Sequence, residues 1–187
     1  YIEAAGRPLT SFCACELRSP AAFTEDGFLK FNQHYVKTLA EWGLFDGSTN
    51  PVARSNVCPV HHPPAAPQFH AFSYTVEQPA DDPVRDYVVA GSGEWPEGSP
   101  FPERIVSRGD VSPAGLGHKA AFVLQMMHNR VDGLAADWQR ITGVQIYTDH
   151  DFHPLLASHF ADEGLTAVGL TWQVCRPPIR ELQFEMD

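Results

Sequence analysis

Apolar residues in the first quarter of the chain fall at two periods. Phe28, Phe31, Tyr35, Leu39 and Trp42 recur at steps of three and four, one stripe of an α-helix that Gly43 is placed to stop. Residues 7–17 before it and 54–60 and 68–76 after it alternate or cluster as strands do. The Pro-rich run 61–67 separates the last two, because proline cannot donate to a sheet ladder. The pattern then repeats with changes. Residues 86–93 read as a short apolar strand running into a glycine turn, and 94–115 as a long loop with a short strand at 104–107. Residues 118–138 read as the strongest helix, striped by Leu124, Met127, Val131, Leu134 and Trp138. A strand is expected at 141–148. A second helix would follow, capped by Asp151 and carrying Phe152, Leu155, Leu156, His159 and Phe160. Closing strands are expected at 166–175 and 182–187.

Two stretches share one cadence. Arg54 to Phe72 and Gly169 to Asp187 each contain a strand, a Pro-Pro break and a second alternating strand, with 15 positions from Arg54 to Phe69 and from Gly169 to Phe184. Internal repetition of this kind predicts two copies of one α+β unit, with helices packed on one face of a mixed sheet. The boundary is placed at 76/77: residues 1–76 form the back half of a first unit, and residues 77–187 the main part of a second, whose first strand begins near 68.

Composition narrows the function. At 187 residues with 43% hydrophobic positions, the chain has enough apolar material for a core. Its formal charge of −10 repels phosphate backbones and argues against a nucleic-acid partner, while leaving room for a local arginine to hold a small carboxylate. No apolar run is long enough to span a membrane, and Tyr1 to Arg7 has no secretion-signal pattern. The four cysteines, Cys13, Cys15, Cys58 and Cys175, follow no disulfide spacing, so free thiols in a reducing cytoplasm are expected. The nine histidines lack metal-site spacing, and the chain has no phosphate loop or nucleophile elbow, so no metal or other cofactor is expected.

Ala53-Arg54-Ser55-Asn56-Val57, Phe31-Asn32-Gln33-His34-Tyr35, Phe72-Ser73-Tyr74-Thr75-Val76, Ser92-Gly93-Glu94 and Phe184-Glu185-Met186 resemble, in kind and order, motifs of the RidA (YjgF) family. The resemblance implies chorismate-mutase-like units, assembly as a homo-trimer or pseudo-trimer, and a cofactor-free hydrolase that deaminates enamines and imines. It also implies roles: an arginine that clamps a substrate carboxylate and a closing-strand glutamate that positions water. The first unit keeps Arg54 but has His70 at the glutamate place; the second keeps Glu185 but has Gly169 at the arginine place. The functional pair is thus split between units. The first unit lacks its front strands, which implies a missing segment or completion by another chain.

The candidates follow. Glu185 and His70 are the acid–base groups, although Glu185 also suits a solvated strand position and His70 a structural histidine. Arg54 is the carboxylate grip, the alternative being an ordinary ion pair. The turn Ser92, Gly93 and Glu94 offers N–H groups to an anion, the alternative being a purely structural turn; Arg176 and Arg180 flank Pro177-Pro178 as a second anion contact or as solvated loop arginines, and Tyr74 is a further substrate-binding candidate. Within the resemblance, the expected substrate is a small unsaturated amino acid or a dicarboxylate of the 2-aminomuconate ring-cleavage type. A chorismatase-like hydrolase and a non-catalytic binding or scaffold module are the alternatives.

Overall fold

The computed structural model describes residues 1–79, 81 and 85–187; part of the loop expected at 77–83 lies outside them. Among the described residues the fold is α+β, built on two four-stranded mixed sheets and three α-helices. In the first sheet, β1 (Phe12–Arg18) runs parallel to β2 (Ala53–Pro59), and β3 (Gln68–Tyr74) lies antiparallel on the other side of β1. The crossover between β1 and β2 is α1 (Glu25–Glu41), whose N-terminus is capped by Thr24 accepting from the Gly27 N–H at 3.1 Å. In the second sheet, β5 (Gly143–Tyr147) is parallel to β6 (Gly169–Gln173), with β8 (Glu185–Met186) antiparallel to β5 and β4 (Ser92–Gly93) beyond it. The crossover here is α3 (His153–Leu155), which continues as a π-helical turn, Leu156–Phe160. Asp151 accepts the His153 N–H at 3.1 Å, a cap-like contact just outside the helix.

Each sheet holds one parallel pair. Cys15 faces Arg54 in one and Gly143 faces Gly169 in the other, so Arg54 and Gly169 occupy matching places. The return strands do not keep step. Arg18 faces Gln68, but Ile146, its counterpart, faces Met186, which the repeat aligns with Ala71. Irregularities in the β1–β3 ladder at Phe12/Ala14 and Glu16/Leu17 accompany this slip.

After Val174 the chain leaves the second sheet and, as β7 (Cys175–Arg176), pairs with Cys58 and Pro59 of the first. Each sheet keeps its own core. Ile2, Phe12, Cys15, Leu17, Leu39 and Val52 pack under α1. The long helix α2 (Pro113–Gly133) presents Leu116, Ala120, Val123, Leu124 and Met127 to Val144, Ile146, Phe184 and Met186. Val57, Tyr147 and Cys175 join the two halves.

Several boundaries differ from the sequence expectation. Helix α2 starts earlier because Ser112 caps it and Pro113 fits its first turn, and it ends at Gly133. Leu134 is consequently exposed rather than part of the stripe. The start is held by a close approach: a Cβ on Gly115 would lie 2.4 Å from Asp110 Cγ. No strand forms at 104–107, where Val106 N–H instead bonds to the Glu94 carbonyl. The strand expected at 86–93 is reduced to Ser92–Gly93. Among the described residues no helix is long and apolar enough to cross a membrane.

Candidate active site

Between the sheets lies a cavity of about 960 Å³. Its walls include Arg54 and Ser55 from β2, Glu16 from β1, Gln145 from β5 and Asp187 just after β8; Gly169 and Gly143 also reach it. Both sheets therefore open onto one space.

Arg54 is half-buried at the end of an aromatic cradle. Its guanidinium stands 4.8 Å from the Tyr35 ring centroid, 5.4 Å from Phe28 and 6.0 Å from Phe31. Nη1 donates to Asn32 Oδ1 at 2.7 Å, its one hydrogen bond among the described residues. The apolar stripe of α1 thus does more than fill a core: three of its rings and one amide fix a cation. Burial pulls the Arg54 pKa below its ordinary value, opposed by Tyr35, Cys15 and Glu185, and the group remains charged.

Glu185 is 5% exposed. Its carboxyl is pushed up to about 8, mainly by burial and then by Asp187, with Arg54 pulling the other way. Asp187, two residues on and on the same side of the strand, is raised to about 6 by burial. The Tyr147 hydroxyl donates to Asp187 Oδ2 at 3.0 Å, and the backbones of Asp187 and Gln145 exchange hydrogen bonds of 2.9 and 3.0 Å. Arg130 of α2 donates to the Ala90 and Gly91 carbonyls at 2.5 and 2.6 Å and holds that segment over the carboxyls. The Gly91 N–H in turn bonds to the Arg54 carbonyl at 3.3 Å. Behind Asp187 a ring of side chains spans the sheets. Glu16 accepts from Gln145 and Arg18, Arg18 donates to Gln173, and Gln173 closes onto Gln145.

The expected site residues divide into two groups. Arg54 and Glu185 lie close enough for each to shift the other's titration, and Ser92 and Gly93 pair with Met186 and Glu185 as the ladder that holds β8. The others lie elsewhere. Glu94 turns into the core, where it meets Lys119 Nζ at 3.2 Å and accepts from the Gln183 and Phe184 N–H groups. His70 is exposed on β3 and borders a second cavity of about 470 Å³ with His61, His62 and Arg18. Tyr74 packs against Tyr1 and Phe72. Arg176 pairs with Asp149 at 2.7 Å, and Arg180 donates to the Ala22 carbonyl at 3.3 Å.

Sequence reasoning passed over Asp187, although its alternation with Glu185 in F-E-M-D places both carboxyls on one face. It also passed over Asn32 and Arg130. Asn32 carries a usable signal, since its spacing of four from Phe28 and three from Tyr35 puts it on their face of α1. Nothing local marks Arg130.

A family model described as "2-aminomuconate deaminase CnbZ" matches residues 1–187. The chain belongs to this family. It is 43% identical, over 188 aligned residues covering all of this chain and 75% of the relative, to a 2-amino-5-chloromuconate deaminase of Comamonas testosteroni. No solved structure matches the chain.

Proposed function

We propose that the protein is a hydrolytic deaminase of 2-aminomuconate-type enamines. The observation that carries this reading, beside family membership, is one cavity lined by the half-buried Arg54 guanidinium and the Asp187 carboxyl, with the buried Glu185 carboxyl close by, both carboxyls raised above the usual carboxylate range. Such a substrate has a carboxylate next to its amino-bearing carbon. Arg54 binds that carboxylate and fixes the carbon beside the acid–base groups. An N–H proton leaves as a ring-cleavage carbon gains one, turning the enamine into an imine. Water adds to the C=N carbon, giving a proton to the carboxyl pair while nitrogen takes one up. The carbinolamine collapses to C=O as the C–N bond breaks and ammonia departs. The protein's own groups suffice for every proton movement, which supports a reaction that uses no metal.

The finer structural reading is that the two β-α-β-β halves are tandem RidA-like units. Its support is the matching place of Arg54 and Gly169 in their parallel ladders and the shared cavity. A trimer or pseudo-trimer in the cytoplasm is the corresponding assembly and location; the four thiols, all free, are compatible with a reducing compartment.

The test is direct. Purified protein is mixed with 2-aminomuconate, and ammonia is measured against loss of the diene absorbance. Ammonia released in step with that loss is expected; absorbance decay at the buffer rate with no ammonia would overturn the reading.

A further inference from the structure

Two carboxyls share the closing strand, but they face different surroundings. Asp187 is a wall of the cavity; Glu185 is not. The Gly91 backbone sits over Glu185 so tightly that a Cβ there would lie 3.0 Å from Oε1, 3.4 Å from Ser55 Cβ and 3.5 Å from Asp187 Cβ. Arg130 locks this cover through the Gly91 carbonyl. On the open side, Asp187 Oδ2 is taken by the Tyr147 hydroxyl, and Ser55 faces the same carboxyl. Beside it, Ser55 is 3% exposed and its Oγ makes no hydrogen bond of regular geometry, although it lines the same cavity. Ser55 and the Tyr147 hydroxyl both face the Asp187 carboxyl, and the buried Ser55 hydroxyl, held by no hydrogen bond of regular geometry, can turn to a polar group supplied from the cavity.

We propose that Asp187 is the carboxylate that meets the substrate nitrogen and the attacking water, and that Glu185 is a positioning residue behind it that keeps a proton. This division rests on the deaminase reading. Asp187 ionised accepts a proton from water as the C–O bond forms and passes it to the imine nitrogen; it then takes the carbinolamine hydroxyl proton and delivers it to nitrogen as C=O forms and the C–N bond breaks. Ser55 donates to the same water or to the carbinolamine oxygen. Glu185 stays neutral, so that Arg54 remains available to the substrate carboxylate instead of closing on a second anion. The groups that face Asp187 are Tyr147, Glu16, Arg18 and Ser55; those that face Glu185 are Asp187, Arg54, Glu94 and Arg130, with the Cys58 and Cys175 thiols nearby. Burial pushes the two carboxyls up to about 8 and about 6, so the kcat/KM profile is expected to bend near those two values.

The experiment compares wild type, Asp187→Asn and Glu185→Gln with 2-aminomuconate from pH 5 to pH 9. Asp187→Asn is expected to lose on the order of 100-fold or more in kcat at every pH, the usual effect of removing a general base. Glu185→Gln keeps kcat within about tenfold and loses the alkaline limb, because its neutral amide cannot ionise. Asp187→Asn within about threefold of wild type, or Glu185→Gln as inactive as Asp187→Asn, would overturn the assignment. Should Asp187→Asn fail to fold, the alkaline limb of Glu185→Gln decides alone. A second arm does not depend on turnover: ¹³C carboxyl resonances are followed as unreactive muconate is added. Asp187 should move with saturation and Glu185 far less; the reverse order refutes the proposal. A wild type silent toward 2-aminomuconate would defeat the deaminase reading, while the resonance arm would still settle which carboxyl faces the ligand.

Discussion

Asn32 of α1 accepts a 2.7 Å hydrogen bond from Nη1 of Arg54, on a strand that the helix covers. With Tyr35, Phe28 and Phe31 around the guanidinium plane, that contact sets the direction of the remaining N–H groups. Arg54→Lys keeps the charge but loses the planar fork and the stacking. It is expected to lower kcat/KM for a 2-amino dicarboxylate by about 10- to 100-fold, chiefly through KM, while Asn32→Ala costs about tenfold by freeing the cation to turn. Steady-state kinetics on both variants check this; an Arg54→Lys enzyme with unchanged KM would remove Arg54 from substrate binding.

Glu94 and Lys119 are both completely buried. Glu94 also ties down the Gln183 and Phe184 N–H groups just ahead of Glu185, so its role is to anchor the closing strand. Removing one partner of a buried pair leaves the other charge uncompensated, and Glu94→Gln is expected to lower unfolding free energy by about 3–5 kcal/mol. Urea unfolding and kinetics on the remaining folded protein separate the possibilities. A drop in kcat with the unfolding midpoint unchanged would mean that Glu94 acts at the site.

Glu185 gives stability a pH dependence of known sign. Its folded pKa, about 8, lies above the ordinary glutamate value, so the native state holds a proton that the unfolded chain releases. Its contribution is fully present below about pH 4.3 and is lost as pH rises to about 8. Glu185→Gln removes that loss. The unfolding free energy of the variant relative to wild type is expected to climb between pH 5 and pH 8 and level off above, by a total on the order of a few kcal/mol, as read from urea unfolding at each pH. A difference that stays flat with pH would show that Glu185 is ionised in the folded protein.

Much of this was legible in the chain. The steps of three and four in Phe28–Trp42 fixed α1, and the β-branched run 141–148 located β5. The aminomuconate-type deaminase reading, drawn from motif order, agrees with the family to which the chain belongs. What failed was long-range. Glu94 follows Ser-Gly and reads as a turn residue, but Lys119 and two backbone N–H groups draw it inward. His70 and Glu185 align in sequence, yet their ladders slip relative to each other and leave His70 facing outward on an edge strand.

The sequence by itself determined the elements, because periodicity of apolar side chains is a local property of helices and strands. It also determined which residue types were available to grip a carboxylate and carry protons. Only the tertiary structure decided which of them meet. Whether a carboxyl titrates near 4 or near 8 depends on how much water and which charges surround it, and those are supplied by Gly91, Arg130, Tyr147 and Arg54 from separate segments of the chain.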